Sequence, residues 1–469
     1  MKYKLVLAFI LVLGFILRIA DINNNPPALY GDELTIALDA NSILRSGKDQ
    51  LGNPFPLTFS MGAGRPAGYV YASVPFVALF GPNALGVRML SILSGMGVIV
   101  LFLLLGKRFF SPKVGLIAAF IIAVSPWAIS LSRGGFEANF ALFLALLAVY
   151  FFARAKEKGI FYIFSFFAFG LSLHTYPTYK LSLMLFLPLL FWYQGVKIKK
   201  YFLVGVVVFL LFGILAFTQT FIGGSEKRFS EINVFSQRLT KEQITQRINF
   251  ERTITNLPSN ISRYFHNKPV EYGKVLIENY LQNFSLDFLV LHGDRNPRHN
   301  MATMGEFYLA AIILILFGAL ALLQKNKKIF LFFVFWLMIA PLPASLVDLP
   351  HALRSSFMLP PLIFLSALGL SVILDRKNKL MLILLATLFG IQFLFFVQKL
   401  FFLAPNEYSR FWSDSAKKAS QTALENKQKY DFVIVSDSID NIEFAYPVYA
   451  RVDPNMVIAR NQARSELGG

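Results

Sequence analysis

Eleven apolar runs follow one another along the chain, at roughly 5–20, 84–105, 114–130, 136–153, 160–175, 178–194, 201–221, 306–323, 329–346, 355–374 and 379–402. Several approach the ~20 residues a helix needs to cross a bilayer, and the shorter ones extend into flanking polar residues. Their middle thirds carry essentially no charge. Three longer polar segments interrupt the pattern. Residues 21–83 are rich in Pro, Gly and Asn, with a helical stretch near 33–44. Residues 223–305 are amphipathic, with a run at 272–284. The tail from 404 reads as a helix near 414–426, then a β-branched strand at 431–436. The pattern predicts an all-α polytopic membrane protein of about eleven transmembrane helices. A membrane domain would span 1–402, with outer loops 21–83 and 223–305, followed by a small α/β tail at 403–469. The final residues, Arg464 to Gly469, complete neither a strand nor a helix, which leaves a truncated reading frame open. No repeat of 20–50 residues is present.

Charge orients the pattern. Every second connection is short and basic: Lys107, Arg108 and Lys113; Arg154, Lys156 and Lys158; Lys197, Lys199 and Lys200; Lys325, Lys327 and Lys328; Arg376, Lys377 and Lys379. With Lys2 and Lys4 these segments hold seventeen Lys and Arg against two acids, Glu157 and Asp375. They account for fifteen of the eighteen net positive charges. Positive loops stay inside, so the N-terminus is expected in the cytoplasm and the tail outside. Basicity is then a topology signal, and nucleic acid is not an expected partner. Composition agrees: 55% hydrophobic residues and 15% charged, with a mean hydropathy of +0.55, against about a quarter charged in soluble domains. Cysteine is absent, which excludes disulfides, a thiolate nucleophile and Cys-bound metal. Arg18 and the lack of a small-x-small cleavage site make the first run an uncleaved anchor rather than a signal peptide.

The ionisable groups cluster at one depth. Arg88, Glu137, His174, Lys180 and Glu306 fall at outer span ends, Arg133 just beyond one, and Asp348, His351 and Arg354 in one outer turn. An ion-coupled transporter places carboxylates or broken helices near the midplane. This distribution instead suits a catalyst at the membrane–water boundary. Avoidance of hydrocarbon explains the bare middles, though not the acids and histidines of the outer turns.

Several short motifs could carry that chemistry. Asp32-Glu33 lies about a dozen residues beyond the first span. Loop acids are usually only solvated, but transfer to a hydroxyl requires a carboxylate to take its proton. His174-Thr175-Tyr176-Pro177 with Lys180 reads equally as an interfacial aromatic belt or as donors to phosphate and sugar hydroxyls. Asp294, Arg298 and His299, near His292 and Arg295, could neutralise a lipid phosphate, as could His351 and Arg354 at a helix start. No metal-ligand spacing and no phosphate-binding glycine loop stands out. The short inner loops cannot supply a nucleotide-sugar domain.

Taken in order, these residues resemble the bacterial GT-C membrane glycosyltransferases, in the branch of protein O-mannosyltransferases and aminoarabinose transferases. The likeness rests on Arg18, Asp32-Glu33, Ser132-Arg133 before Glu137, His174-x-Tyr176-Pro177, Gly293-Asp294…Arg298-His299 and Pro350-His351-Ala352-Leu353-Arg354. It covers about 1–402, best over 1–195. The resemblance implies a GT-C helical bundle in the cytoplasmic membrane and inverting transfer from a polyprenyl-phosphate sugar, a hexose or pentose. The acceptor would be protein, lipid or glycan. Asp32 would be general base, with Glu33 orienting acceptor or loop. Arg133, His174, Tyr176, Lys180, Asp294, Arg298, His299, His351 and Arg354 would bind donor phosphate or sugar. Related enzymes differ in their need for a divalent metal, so no metal ligand and no cofactor is carried over. The alternatives are a transferase using a pyrophosphate-linked oligosaccharide, a transporter of lipid-linked sugars, which the bare span centres disfavour, and a structural scaffold.

Overall fold

The computed structural model describes residues 2–60, 64–196, 198–221, 233–235, 238–347 and 349–466. Lys197, Asp348, residues 222–232 of the second outer loop and the last three residues lie outside them. Each of the eleven apolar runs is helical over most of its length. Among the described residues, six helices are long and apolar enough to cross a membrane, or seven when the bent pair at 112–133 counts as one span. The chain is a multi-pass membrane protein.

The membrane part begins with α1 (Lys2–Ile19), which packs against α4 (Ala84–Phe109), α5 (Pro112–Val124) and α6 (Pro126–Arg133). A 58° bend separates α5 from α6. Pro126 removes an amide from the helical ladder, so carbonyls at the end of α5 lose their partners. Two side chains from elsewhere satisfy them with three hydrogen bonds. Arg18 donates to Ile122 and Ala123 at 3.1 and 2.9 Å, and the Tyr308 hydroxyl donates to Val124 at 2.9 Å. In return Arg133, on α6, donates to Leu17 at 3.0 Å, Ala20 at 2.9 Å and Asn25, closing the end of α1. The two helix ends exchange arginines, which is how broken backbone is tolerated at membrane depth.

Helices α7 (Glu137–Arg154), α8 (Phe161–Leu173), α9 (Pro177–Gln194) and α10 (Lys200–Phe221) follow. After the three described helices of the second long loop, α11 (Arg238–Ile254), α12 (Ser259–Phe265) and α13 (Lys268–Gln282), come α14 (Leu309–Lys325), α15 (Lys327–Ile339), the single turn α16 (Leu342–Ser345), α17 (Leu359–Asp375) and α18 (Lys379–Gln398). Between membrane helices packing contacts drive association, so small residues mark close crossings. Gly318 of α14 faces Gly369 of α17: a Cβ at either would overlap a carbonyl oxygen, of Leu365 or Leu314.

The cap formed by residues 21–83 and the tail departs from the sequence reading in two places. Residues 21–83 contain α2 (Gly31–Ser46), as the pattern predicts, and a two-stranded pairing of β1 (Thr58–Phe59) with β2 (Arg65–Pro66). They also contain the apolar helix α3 (Gly68–Phe80), hidden within a segment that reads as polar overall. In the tail, α19 (Ala404–Glu407) and α20 (Asp414–Asn426) precede α21 (Ile442–Tyr449) and α22 (Pro454–Glu466). Residues 431–436 form no strand. They are β-branched but find no edge to pair with, and Phe432 and Ile434 are exposed. The described tail is helical. It packs on α2, where Leu34, Ile36 and Ala37 meet Ala416, Ile442 and Ala445, and Lys417 donates to Pro27 at 2.7 Å.

Candidate active site

The first turn of α2 carries Asp32 and Glu33, where unpaired amides favour carboxylates. Adjacent residues on a helix point about 100° apart, and these two separate completely. Glu33 turns inward and is fully buried. Arg88 binds both its oxygens at 2.8 Å, and the Gly135 amide donates to Oε1 at 2.8 Å. Arg88 also donates to the Ile22, Pro26 and Ala28 carbonyls. Glu33 therefore anchors α2 to the membrane bundle and does not reach the cavity.

Asp32 faces outward, its side chain one-third exposed. Arg65, from β2, is buried beside it, with Nη2 3.2 Å from Asp32 and Nε 2.8 Å from Glu137 at the start of α7. Arg65 Nη1 also donates to the Asp32 carbonyl and the Thr35 hydroxyl at 3.1 and 2.9 Å. One guanidinium thus holds the Asp32 side chain, its backbone and α7.

These groups line a cavity of about 490 Å³ at the helix ends beside the 21–83 and 223–305 loops. Tyr30, Asp32, Arg65 and Glu137 contribute to it, as do Tyr176 and Lys180 from the start of α9, Arg298 and His299 from the second loop, and His351 and Arg354 from the turn before α17. The Arg298 guanidinium lies over the Tyr30 ring, 5.2 Å from its centroid, a cation–π contact that aims it at the mouth. Beneath the basic wall, Asp294 is buried. Its Oδ2 accepts from His299 Nδ1 at 3.0 Å and the Ala352 amide at 2.8 Å, while Oδ1 accepts from the Asn296 amide. Burial opposes ionisation of Asp294, but the His299 hydrogen bond and the charges of both histidines outweigh it and hold the carboxyl down at about 2. Burial pushes His351 well below the usual imidazole range, helped by the neighbouring charges of His299 and Arg354. Burial and the Asp294 charge push Glu306, which accepts from the Asp294 amide, well above the carboxylate range.

Seven of the eleven expected site residues line this cavity: Asp32, Tyr176, Lys180, Arg298, His299, His351 and Arg354. Glu33 and Asp294 stand behind its walls. Arg133 does not bind in it, because its guanidinium is spent on carbonyls at the end of α1. His174 is turned toward α10, with Nε2 3.0 Å from the Phe212 carbonyl. Arg65 went unrecognised in the sequence; the only signal is a lone cation in a Gly/Pro-rich stretch. Asp294, His299 and His351 meet with ligand-type atoms within 4.8 Å of one another, a grouping that spacing could not show because His351 comes from a separate turn.

The fold matches solved structures along nearly its whole length. ArnT from Cupriavidus metallidurans, solved bound to undecaprenyl phosphate, superposes with a TM-score of 0.60 at 13% identity, covering 98% of this chain and 88% of that one. The chain has the GT-C fold. A second structure with this fold, the archaeal oligosaccharyltransferase AglB from Archaeoglobus fulgidus in complex with an inhibitory peptide and a dolichol-phosphate, matches at 14% identity and a TM-score of 0.56. There the match covers 96% of this chain but 63% of AglB, so the chain spans less than two thirds of that protein. Residues 65–217 match the dolichyl-phosphate-mannose-protein mannosyltransferase family. That stretch of the GT-C fold includes Arg65, Glu137, Tyr176 and Lys180, while Asp32 and the 294–354 wall lie outside it. No curated protein sequence matches the chain significantly.

Proposed function

We propose that the chain is an inverting glycosyltransferase at the outer face of the cytoplasmic membrane, taking a sugar from a polyprenyl-phosphate donor. One observation carries this reading: a single cavity at the outer helix ends holds the exposed carboxylate Asp32 together with Arg298, Arg354 and Lys180. A base and an anion-binding wall in one cavity are what the transfer needs. Asp32 accepts the proton of an acceptor hydroxyl as its oxygen attacks the sugar's anomeric carbon. The anomeric C–O bond breaks, its electrons stay with the phosphate, and polyprenyl phosphate leaves. Arg298, Arg354 and Lys180 stabilise the charge that grows there. Arg65 keeps Asp32 in place to take that proton, and Glu137 positions Arg65.

Two likenesses support a lipid-phosphate donor, since ArnT was solved with undecaprenyl phosphate and AglB with a dolichol-phosphate. The basic connections 107–113, 154–158, 325–328 and 376–379 support an outward-facing cavity. Purified protein mixed with labelled polyprenyl-phosphate sugars and envelope extract should label one acceptor class: protein, lipid or glycan. Labelling should disappear in Asp32→Asn. No transfer from any such donor, with transfer from a pyrophosphate-linked oligosaccharide instead, would replace this reading with the oligosaccharide one.

A further inference from the structure

A second cavity, of about 840 Å³, lies at the opposite ends of the helices that frame the first. Helices α7 and α9 begin beside Asp32 and Arg354, at Glu137 and Pro177, and reach the second cavity with their last turns. The end of α4 and the start of α15 complete it. Five cations line it, Lys107, Arg108, Arg154, Lys156 and Lys328, against one acid, Glu157. Arg108 and Arg154 both bind Glu157. Among the described residues, Lys107, Lys156 and Lys328 are left without a carboxylate partner.

Loop charge that sets topology, and cations drawn to the negative ends of helices, account for basic residues in these turns. Arg108 fits that account, since it donates to the Ala153 carbonyl at 2.6 Å near the end of α7. Neither effect requires cations from three separate connections to converge on one concavity. The turn between α17 and α18 shows the contrast: Arg376, Lys377 and Lys379 carry as much charge as the three lysines and line none of this cavity. Aromatic rings build its walls. Tyr193 stacks on Phe332 with centroids 4.4 Å apart and meets the edge of Phe109 at 6.0 Å. Lys328 Nζ lies 5.7 and 5.8 Å from the Trp192 and Tyr193 ring centroids, a cation–π arrangement that fixes the ammonium. Leu104 and Ile329 add apolar lining.

We propose that this cavity binds the headgroup of an anionic phospholipid from the adjoining leaflet, with a two-phosphate headgroup fitting it best. Phosphate oxygens accept from the three unmatched lysines, while the glycerol and first acyl carbons lie against Phe109, Tyr150 and Tyr193. Basic pockets between membrane helices recognise lipids in this way. Position favours a lipid over a soluble anion, because the cavity opens at the ends of spanning helices, where headgroups are already concentrated. On the proposed orientation this is the cytoplasmic leaflet. A bound headgroup ties the α4–α5, α7–α8 and α14–α15 connections together, so it stabilises the folded chain by mass action. The site shares no lining residue with the Asp32 cavity and stands whichever reaction that cavity performs.

The test uses full-length protein in a neutral detergent, titrated separately with cardiolipin, phosphatidylcholine and inorganic pyrophosphate. Native mass spectrometry reads retained ligand, and a melting curve reads stabilisation. Cardiolipin should be retained and should raise the melting temperature; phosphatidylcholine should do neither. The combined substitution of Lys107→Gln, Lys156→Gln and Lys328→Gln should weaken cardiolipin binding roughly a hundredfold, about a factor of five for each lysine. Combining Arg376→Gln, Lys377→Gln and Lys379→Gln removes as much charge from another basic turn and should bind like the parent. If the first triple variant does not fold, Lys156→Gln alone, on an exposed turn, should lose about fivefold. Equal losses in the two triple variants, or none in Lys156→Gln, would mean that charge acts diffusely and no built site exists. Pyrophosphate bound as tightly as cardiolipin would overturn the lipid in favour of a soluble anion.

Discussion

Arg65 binds Asp32 through Nη2 at 3.2 Å while its Nε holds Glu137 at 2.8 Å. The cation is almost fully buried and the Asp32 side chain is not. Its own surroundings fix the guanidinium, and the exposed carboxylate is aimed by it. On the proposed reading, this relation makes Asp32 the carboxylate that meets an incoming acceptor.

Asp32→Asn should leave a folded protein whose turnover is lower by ~10²–10⁴, the usual cost of losing a general base. The amide is nearly isosteric and keeps an acceptor oxygen for Arg65. Rate measurement beside a melting curve checks this, and near-normal turnover would remove Asp32 from the role.

Glu33→Gln should behave differently. It leaves the buried Arg88 without a counter-charge, and breaking such a pair costs about 3–5 kcal/mol. The expected result is a large drop in melting temperature, with activity lost in step with folded protein. A stable variant with selectively lost turnover would return Glu33 to the chemistry.

Arg354→Lys keeps the charge but loses the planar fork that grips phosphate bidentately. Because phosphate charge develops as the sugar departs, kcat should fall more than donor affinity. If both stay unchanged, Arg354 only extends its charge to the interface over an apolar stem.

Asp39, in α2, gives the outer cap a pH dependence. Burial raises its carboxyl to about 7 against the hydrogen bonds from Gln50. The folded state therefore holds a proton that the unfolded chain has released by about pH 4. Its stabilising contribution is complete below that point and is lost as pH rises through 7. Melting temperature should fall between pH 5 and pH 8, and Asp39→Asn should flatten the decline.

Orientation can be read with a single thiol in this Cys-free chain. Asn441 lies in the expected outer tail but has a positive φ of 62° and hydrogen bonds to Ser413 and Asp440. Ile434, 96% exposed, is the safer position. Ile434→Cys should react with an impermeant reagent on intact cells; reaction only after lysis would invert the topology.

Depth was legible in the sequence, and direction was not. Apolar runs and basic turns mark where helices end, so Asp32, Lys180, Arg298 and Arg354 could be placed together at the ends opposite the basic turns from pattern alone. Arg133 sits at the same depth, yet it turns back toward α1 because that helix end offers bare carbonyls. Linear spacing contains no trace of that. Arg65 failed to stand out for the converse reason: its meaning lies in Glu137, seventy-two positions later. The β-branched stretch at 431–436 has the propensity of a strand, but a strand needs a partner edge, and propensity says nothing about one.

The exchange of arginines between α1 and the α5–α6 break also constrains how the protein is made. Arg18 emerges from the ribosome about a hundred residues before Ile122 and Ala123, whose carbonyls later accept its hydrogen bonds. Until they arrive, the Arg18 guanidinium has the Gly14 carbonyl of its own helix, and otherwise only headgroup phosphates and water. Arg133 closes the same lock from the other side. The first helix is thus expected to settle into its final position only once the fragment through Arg133 has been inserted. Chains stalled before that point should crosslink to the insertion machinery and lipid, and longer ones to their own second and third spans.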